Sequence, residues 1–235
     1  MNILAFGSHP DDVEFLCGGT LLKYKKMGHK IFIALTTSGN IGSNVIEGRE
    51  NIAAIREKEQ LEAASFFDAK VRFLRYNDEG LVDSEALRKD IIDAIRWANP
   101  DVIFTNPPQD NSTDHNVTGT VVGRVMLSLV GKNVPSTVEP MKKFPSLFYW
   151  DTSAGVNFVP EVYVDITKEY EEKIKALLCH KSQISWMSEY EDQEFTDSCR
   201  IICEFRGLQA GYKYAEAFSS FRLHGVMPNF ALLPL

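Results

Sequence analysis

The 235-residue sequence has no apolar run approaching the roughly 18 residues that a membrane-spanning helix needs. It has no basic excess either: 25 Lys and Arg stand against 32 Asp and Glu, for a net charge of -7. A general nucleic-acid binder would show a basic stripe, so nucleic acid is not an expected partner. Cysteine is scarce, and Cys17, Cys179, Cys199 and Cys203 show no CxxC spacing. They read as reduced packing thiols in a cytoplasmic protein. The opening "MNILAFGSHPDD" lacks a basic lead and soon turns polar, which is not the pattern of a signal peptide. Gly18 and Gly19 belong to no GxGxxG, and no acidic residue ends the second predicted strand, so a nucleotide loop is poorly supported. No repeat, low-complexity tract or linker divides the chain.

What is present is a regular alternation. With 44% hydrophobic and 24% charged residues, the composition can fill one sizeable core. "MNILAFGS", "KIFIALTT", "KVRFLRY" and "DVIFTNP" read as strands. Helices are predicted from Gly18 to a stop at Gly28, over residues 49–67, from a cap at Asp83 or Ser84 to Asn99-Pro100, and over residues 117–130. In the second of these, Ile52, Ile55, Ala63 and Phe66 or Phe67 face inward, and the Arg and Glu residues face out. After Pro135, Pro140 and Pro145 come two further strands, "SLFYWDT" and "EVYVDIT", then one helix "KEYEEKIKALLCHKSQISWM" and forty residues of mixed helix and loop. The expectation is an α/β fold: a Rossmann-like, doubly wound, mostly parallel sheet with helices on both faces, in a single domain spanning residues 1–235. Trp97, Trp150 and Trp186 are expected in the core and the pocket wall.

Ligands gather at the carboxyl ends of such strands. The runs "GSHPDDVE", "TSGNIGS", "NDEG" and "NPPQDNSTDH" follow the first four strands and are expected to share one rim. Asp11 and Asp12 are adjacent carboxylates that repel each other unless a cation, a shared proton or open water relieves them. His9 and Asp12, three apart around Pro10, can converge on one cation. Read alone, the stretch is equally a cap for the next helix. His115, from a later strand end, would complete two histidines and one carboxylate, a set suited to zinc for hydrolysis or ferrous iron for oxygen chemistry.

These blocks resemble the LmbE/PIG-L family of zinc-dependent de-N-acetylases over nearly the whole chain. "SHPDDVEFLCGGTL" and "DHNVTG" are the specific matches, with "TSGNIG", "REKEQLEAA", "YNDEGL", "CHKSQ" and "YAEAF" in support. The resemblance implies that His9, Asp12 and His115 hold zinc and that Asp11 is the general base. It implies de-N-acetylation of an N-acetyl amino sugar or its conjugate, with Arg56 and Asp78 contacting sugar hydroxyls. The sequence departs from the family's HPDH block, because Ser112 stands where its first histidine belongs. A serine can donate a hydrogen bond to substrate but is no acid near pH 7. His224, oriented by Asp114, is the expected replacement; His180 is an alternative, as is different chemistry or a non-catalytic carbohydrate-binding role. The apolar tail "NFALLPL" is compatible with a homo-oligomer.

Overall fold

Period-two burial along the first strand sets the architecture. In β1 (Asn2–Gly7) Ile3 and Ala5 enter one hydrophobic cluster, while Leu4 and Phe6 enter another on the opposite face. A strand buried on both sides must lie inside a sheet covered by two helical layers. The structure is a computed structural model, and it describes residues 1–188 and 194–223. With β2 (Lys30–Thr37), β3 (Lys70–Tyr76), β4 (Val102–Thr105), β5 (Ser146–Trp150), β6 (Val162–Asp165) and β7 (Ala215–Ser220), it forms one sheet in the order β3-β2-β1-β4-β5-β7-β6.

β1 pairs in parallel with both β2 and β4, Phe6 lying opposite Ala34 on one side and Thr105 on the other. The chain thus leaves β1 toward one edge and returns to its other side at β4. This reversal opens a crevice at the carboxyl ends of β1 and β4, where doubly wound sheets bind ligands. The last strand is antiparallel to both β5 and β6.

Local signals account for much of the rest. Ser84 caps α3 (Glu85–Ala98) by accepting from the Leu87 N–H, and Asn99 ends it at φ 42°. α2 (Arg49–Ser65) buries Ile52 and Ala63 as expected, but also Gln60 and Arg56, the latter against the expectation that its Arg residues face out. α1 (Asp12–Lys26) begins six residues before the predicted Gly18. α4 (Thr113–Val125) also begins early, because Ser112 caps it, and a 3-10 turn (Met126–Val130) follows. The single helix expected after β6 is two, α5 (Tyr170–Leu177) and α6 (Lys181–Ser188), followed by α7 (Phe195–Ala210).

β7 was read as helix or loop, yet it supplies a buried tie to the first helix. The Glu216 carboxylate accepts from the N–H groups of Gly19 (2.8 Å) and Thr20 (2.7 Å) and from Lys173 Nζ (2.6 Å). Lys173 Nζ also donates to the Phe15 carbonyl at 2.7 Å. A buried ion pair is stable only when its remaining hydrogen-bonding capacity is met, and here the α1 backbone meets it. All four cysteines are buried and free. No described helix is long and apolar enough to cross a membrane.

Candidate active site

The turn after β1 carries the chemistry in a strained conformation. Asp11, ahead of α1, has φ 110° and makes no side-chain cap to that helix. A non-glycine residue held there must be over-determined by its surroundings, a situation concentrated at functional sites. The consequence is that the two aspartates diverge. Asp12 turns back under the strand end, where its Oδ2 accepts from the N–H groups of Ser8 (2.8 Å) and His9 (3.1 Å) and from Asn106 Nδ2 (3.3 Å). Asp11 turns toward α2, where Arg56 Nη2 donates to its Oδ2 at 3.0 Å. The capping alternative for the first turn is therefore not what these side chains do.

Three donor atoms converge at the crevice. His9 Nδ1 lies 3.1 Å from His115 Nε2, which lies 3.2 Å from Asp12 Oδ1, and His9 Nδ1 is 3.9 Å from the same oxygen. Ligands about 2.1 Å from one tetrahedral ion would be separated by about 3.4 Å, so this triangle fits a divalent cation. The opposite ring nitrogens are also held. His9 Nε2 is 3.0 Å from Asp114 Oδ2, and His115 Nδ1 is 3.2 Å from Asp110 Oδ2. Outer carboxylates that fix the ring and tautomer of a histidine are characteristic of metal ligation. Asp110 carried no expectation from the sequence; its place three residues before the α4 first turn was the available signal.

The electrostatics separate the roles of the two neighbours. Burial raises the Asp11 carboxyl to about 6, Arg56 pulling against it and Asp12 adding to it. Burial also opposes ionisation of Asp12, but the charges and hydrogen bonds of His115 and His9 win, holding it far below the usual carboxylate range. His115 is likewise desolvated, yet Asp12 and Asp110 on either side raise its affinity for a proton well above the ordinary value. A cation would take over from that proton between the same groups.

Arg56 is buried, and both of its terminal nitrogens are engaged. Besides Asp11, it donates to the Gly39 carbonyl at 3.0 Å and to the Pro10 carbonyl. Gly39, at φ 66°, is required for this approach, since a Cβ there would sit 2.4 Å from the guanidinium. Neither Glu57 nor Glu59 on its own helix pairs with it: Glu57 holds Arg75, and Glu59 holds Ser182. The hydroxyl of Ser112 accepts from the His115 N–H at 3.5 Å, capping the helix that carries the ligand. Asp114 serves His9 and the Glu79 N–H (2.9 Å), so its Oδ2 is already engaged. Asp78 keeps one buried carboxylate oxygen without a partner among the described residues. His180 is fully buried against Glu14 at 3.2 Å. His224 lies outside the described residues.

His9, Asp11, Asp12, Asp78, Ser112 and His115 line a single cavity of about 340 Å³, with Arg56 at its wall. Trp186 lines it too, whereas Trp150 is fully buried in the core and Trp97 packs against Phe32. Residues 4–126, more than half of the chain, match the family described as PIG-L: GlcNAc-PI de-N-acetylase. The chain belongs to the PIG-L (LmbE) family. Among similar proteins, a probable N-acetyl-alpha-D-glucosaminyl L-malate deacetylase 2 of Bacillus cereus is 29% identical over 196 residues, covering 80% of this chain and 86% of the relative. The N,N'-diacetylchitobiose deacetylase of Pyrococcus horikoshii has a similar structure, with TM-score 0.81 and 27% identity over 93% of this chain and 83% of that one. A 4-carboxy-2-hydroxymuconate hydratase from Pseudomonas putida shares the fold at TM-score 0.83 and 17% identity, covering 98% of this chain and 100% of its own. The fold therefore hosts more than one reaction, and the argument for a reaction must come from the site.

Proposed function

We propose that this PIG-L protein is a zinc-dependent hydrolase that removes acetyl groups from an N-acetylated amino sugar or its conjugate. The observation that carries the reading is the convergence of His9 Nδ1, His115 Nε2 and Asp12 Oδ1 beside a separately held Asp11 in one cavity. Two imidazoles and a carboxylate suit zinc better than magnesium or calcium, which prefer all-oxygen shells. The deacetylase relatives favour hydrolysis over the oxygen chemistry that iron would bring to the same ligands. When bound, the cation would polarise the amide carbonyl and acidify a water.

The chain's own groups supply proton transfer and placement. Asp11, neutral or ionised within reach of neutral pH, accepts a proton from the attacking water and returns it to the departing nitrogen. One carboxyl acting in both directions removes the need for a histidine at position 112. Ser112 keeps α4 in register instead. Arg56 is a positioning residue, fixing the Asp11 carboxylate rather than reaching substrate. Asp78, which lines the cavity, is assigned to a sugar hydroxyl.

Acetate release from N-acetylglucosamine glycosides by zinc-reloaded protein tests the reading. Asp11→Asn is expected to lower kcat by about 10²–10⁴ while the zinc content stays at the wild-type level. No acetate from any glycoside, or an unimpaired Asp11→Asn variant, would overturn it.

A further inference from the structure

A second cavity, of about 470 Å³, adjoins the first and shares Phe15, Ser153, Met187 and Phe195 with it. The shared wall is built, since the rings of Phe15 and Phe195 stack at 5.0 Å between α1 and α7. The two compartments differ in charge. The first holds His9, Asp11, Asp12, Arg56, Asp114 and His115, among others; the second adds Ala154, Ser198, Ile201, Ile202 and Phe205, without one ionisable side chain among the described residues. Ile201 is 42% exposed and Phe205 46%, so the groove is open to solvent at its outer end.

We propose that this groove binds the aglycone of the substrate and that the aglycone is apolar: an alkyl, aryl or acyl group attached to the amino sugar. The inference rests on the deacetylase reading and specifies its substrate class. An acetamido sugar seated at His9 and Asp11 directs the rest of its molecule across Phe15 and Phe195. A carboxylate- or phosphate-bearing aglycone would find no cation in the groove among the described residues, and the terminal nitrogens of Arg56, which lines the catalytic cavity, are committed to Asp11, Pro10 and Gly39. An apolar aglycone finds surfaces that lose contact with water as it enters.

Two series on the zinc-loaded full chain separate this proposal from the reaction itself. Calorimetric binding of methyl, butyl and hexyl glucosides, which carry no acetamide, reads the groove alone. kcat/KM for the matching N-acetylglucosaminides reads the groove and the reaction together. Affinity is expected to rise roughly two- to fourfold per methylene, the upper figure corresponding to about 0.8 kcal/mol. Phe205→Ser and Ile201→Ser, at exposed positions that spare the core, should each flatten that slope. A steep binding series without acetate release defeats the deacetylase reading and upholds the groove. A flat series in both assays overturns the proposal. So does a series made steep only by deleting residues 224–235, which would assign the groove to the chain's own end. A dimer that Phe205→Ser converts to monomer in sedimentation also overturns it, by giving this face to a second copy.

Discussion

Gly119 offers a test that reaches the proposed metal centre without touching a proposed ligand. It lies on α4 one turn beyond His115 and packs on the loop leaving β4, where an added Cβ would come within 2.1 Å of the Asn106 carbonyl oxygen and 3.0 Å of the Pro107 carbonyl carbon. Ordinary contact begins at 3.4 Å, so Gly119→Ala demands a displacement of about 1.3 Å. Both obstructing atoms are backbone, so no side chain can swing aside, and either α4 or the Asn106–Pro107 loop must shift. If the helix yields, His115 moves with it, taking its Nε2 from 3.1 Å to as far as about 4.4 Å from His9 Nδ1. Two nitrogens at zinc-ligand distance cannot be farther apart than about 4.2 Å. Asn106 adds a second effect, because its Nδ2 donates to Asp12 Oδ2. Zinc affinity should fall by at least tenfold in competition against a chromophoric chelator, with about 1–3 kcal/mol of lost stability in urea unfolding. A Gly119→Ala protein with wild-type zinc affinity and an unchanged unfolding midpoint would refute the packing argument.

Asp110→Asn, which leaves His115 Nε2 in place but removes the charge from its other nitrogen, should weaken zinc about 10–100-fold in the same competition. Wild-type affinity would show that the outer carboxylate is dispensable. Asp93 makes a prediction about acid stability. Although burial works against its ionisation, Ser136, Thr137 and Lys89 hold it at about 2 against an ordinary 3.8. A depressed carboxyl stabilises the fold above its unfolded pKa, and the drop corresponds to about 2 kcal/mol, lost as pH falls from about 4 toward 2. The urea-unfolding gap between wild type and Asp93→Asn should therefore shrink over that interval; a gap constant with pH would contradict the assignment.

The candidate triad was legible because each member lies in a polar run that follows a clear strand. His9 and Asp12 stand just past β1, His115 stands in the first turn of the helix after β4, and the sheet order brings those two strand ends together. Arg56 was not legible in the same way. Its charge belongs on the outer face of any helix pattern, and only the strained turn at Asp11 and the missing side chain at Gly39 give it partners inside. Ser112, which replaces the family's histidine, also caps its own helix and lines the cavity. The break between α5 and α6 carries no Gly or Pro, and it occurs where His180 turns into the core to meet Glu14. β7 was missed because "AEAFSS" has little β-branched or aromatic content; its place is decided by the two strands it joins.

That late strand has a consequence for how the protein is made. Glu216 closes on the α1 backbone across 197 residues of sequence, and Lys173 across 158. A ribosome delivers Asp11, Asp12 and their helix long before the carboxylate that ties that helix down. Until then Lys173 would be a buried charge without its partner, a state that costs several kcal/mol and keeps that layer open. A chain released before residue 215 should therefore carry every proposed zinc ligand and still fail to assemble the site. Arrival of β7, rather than of the proposed ligands, would set the earliest moment at which a metal could be held.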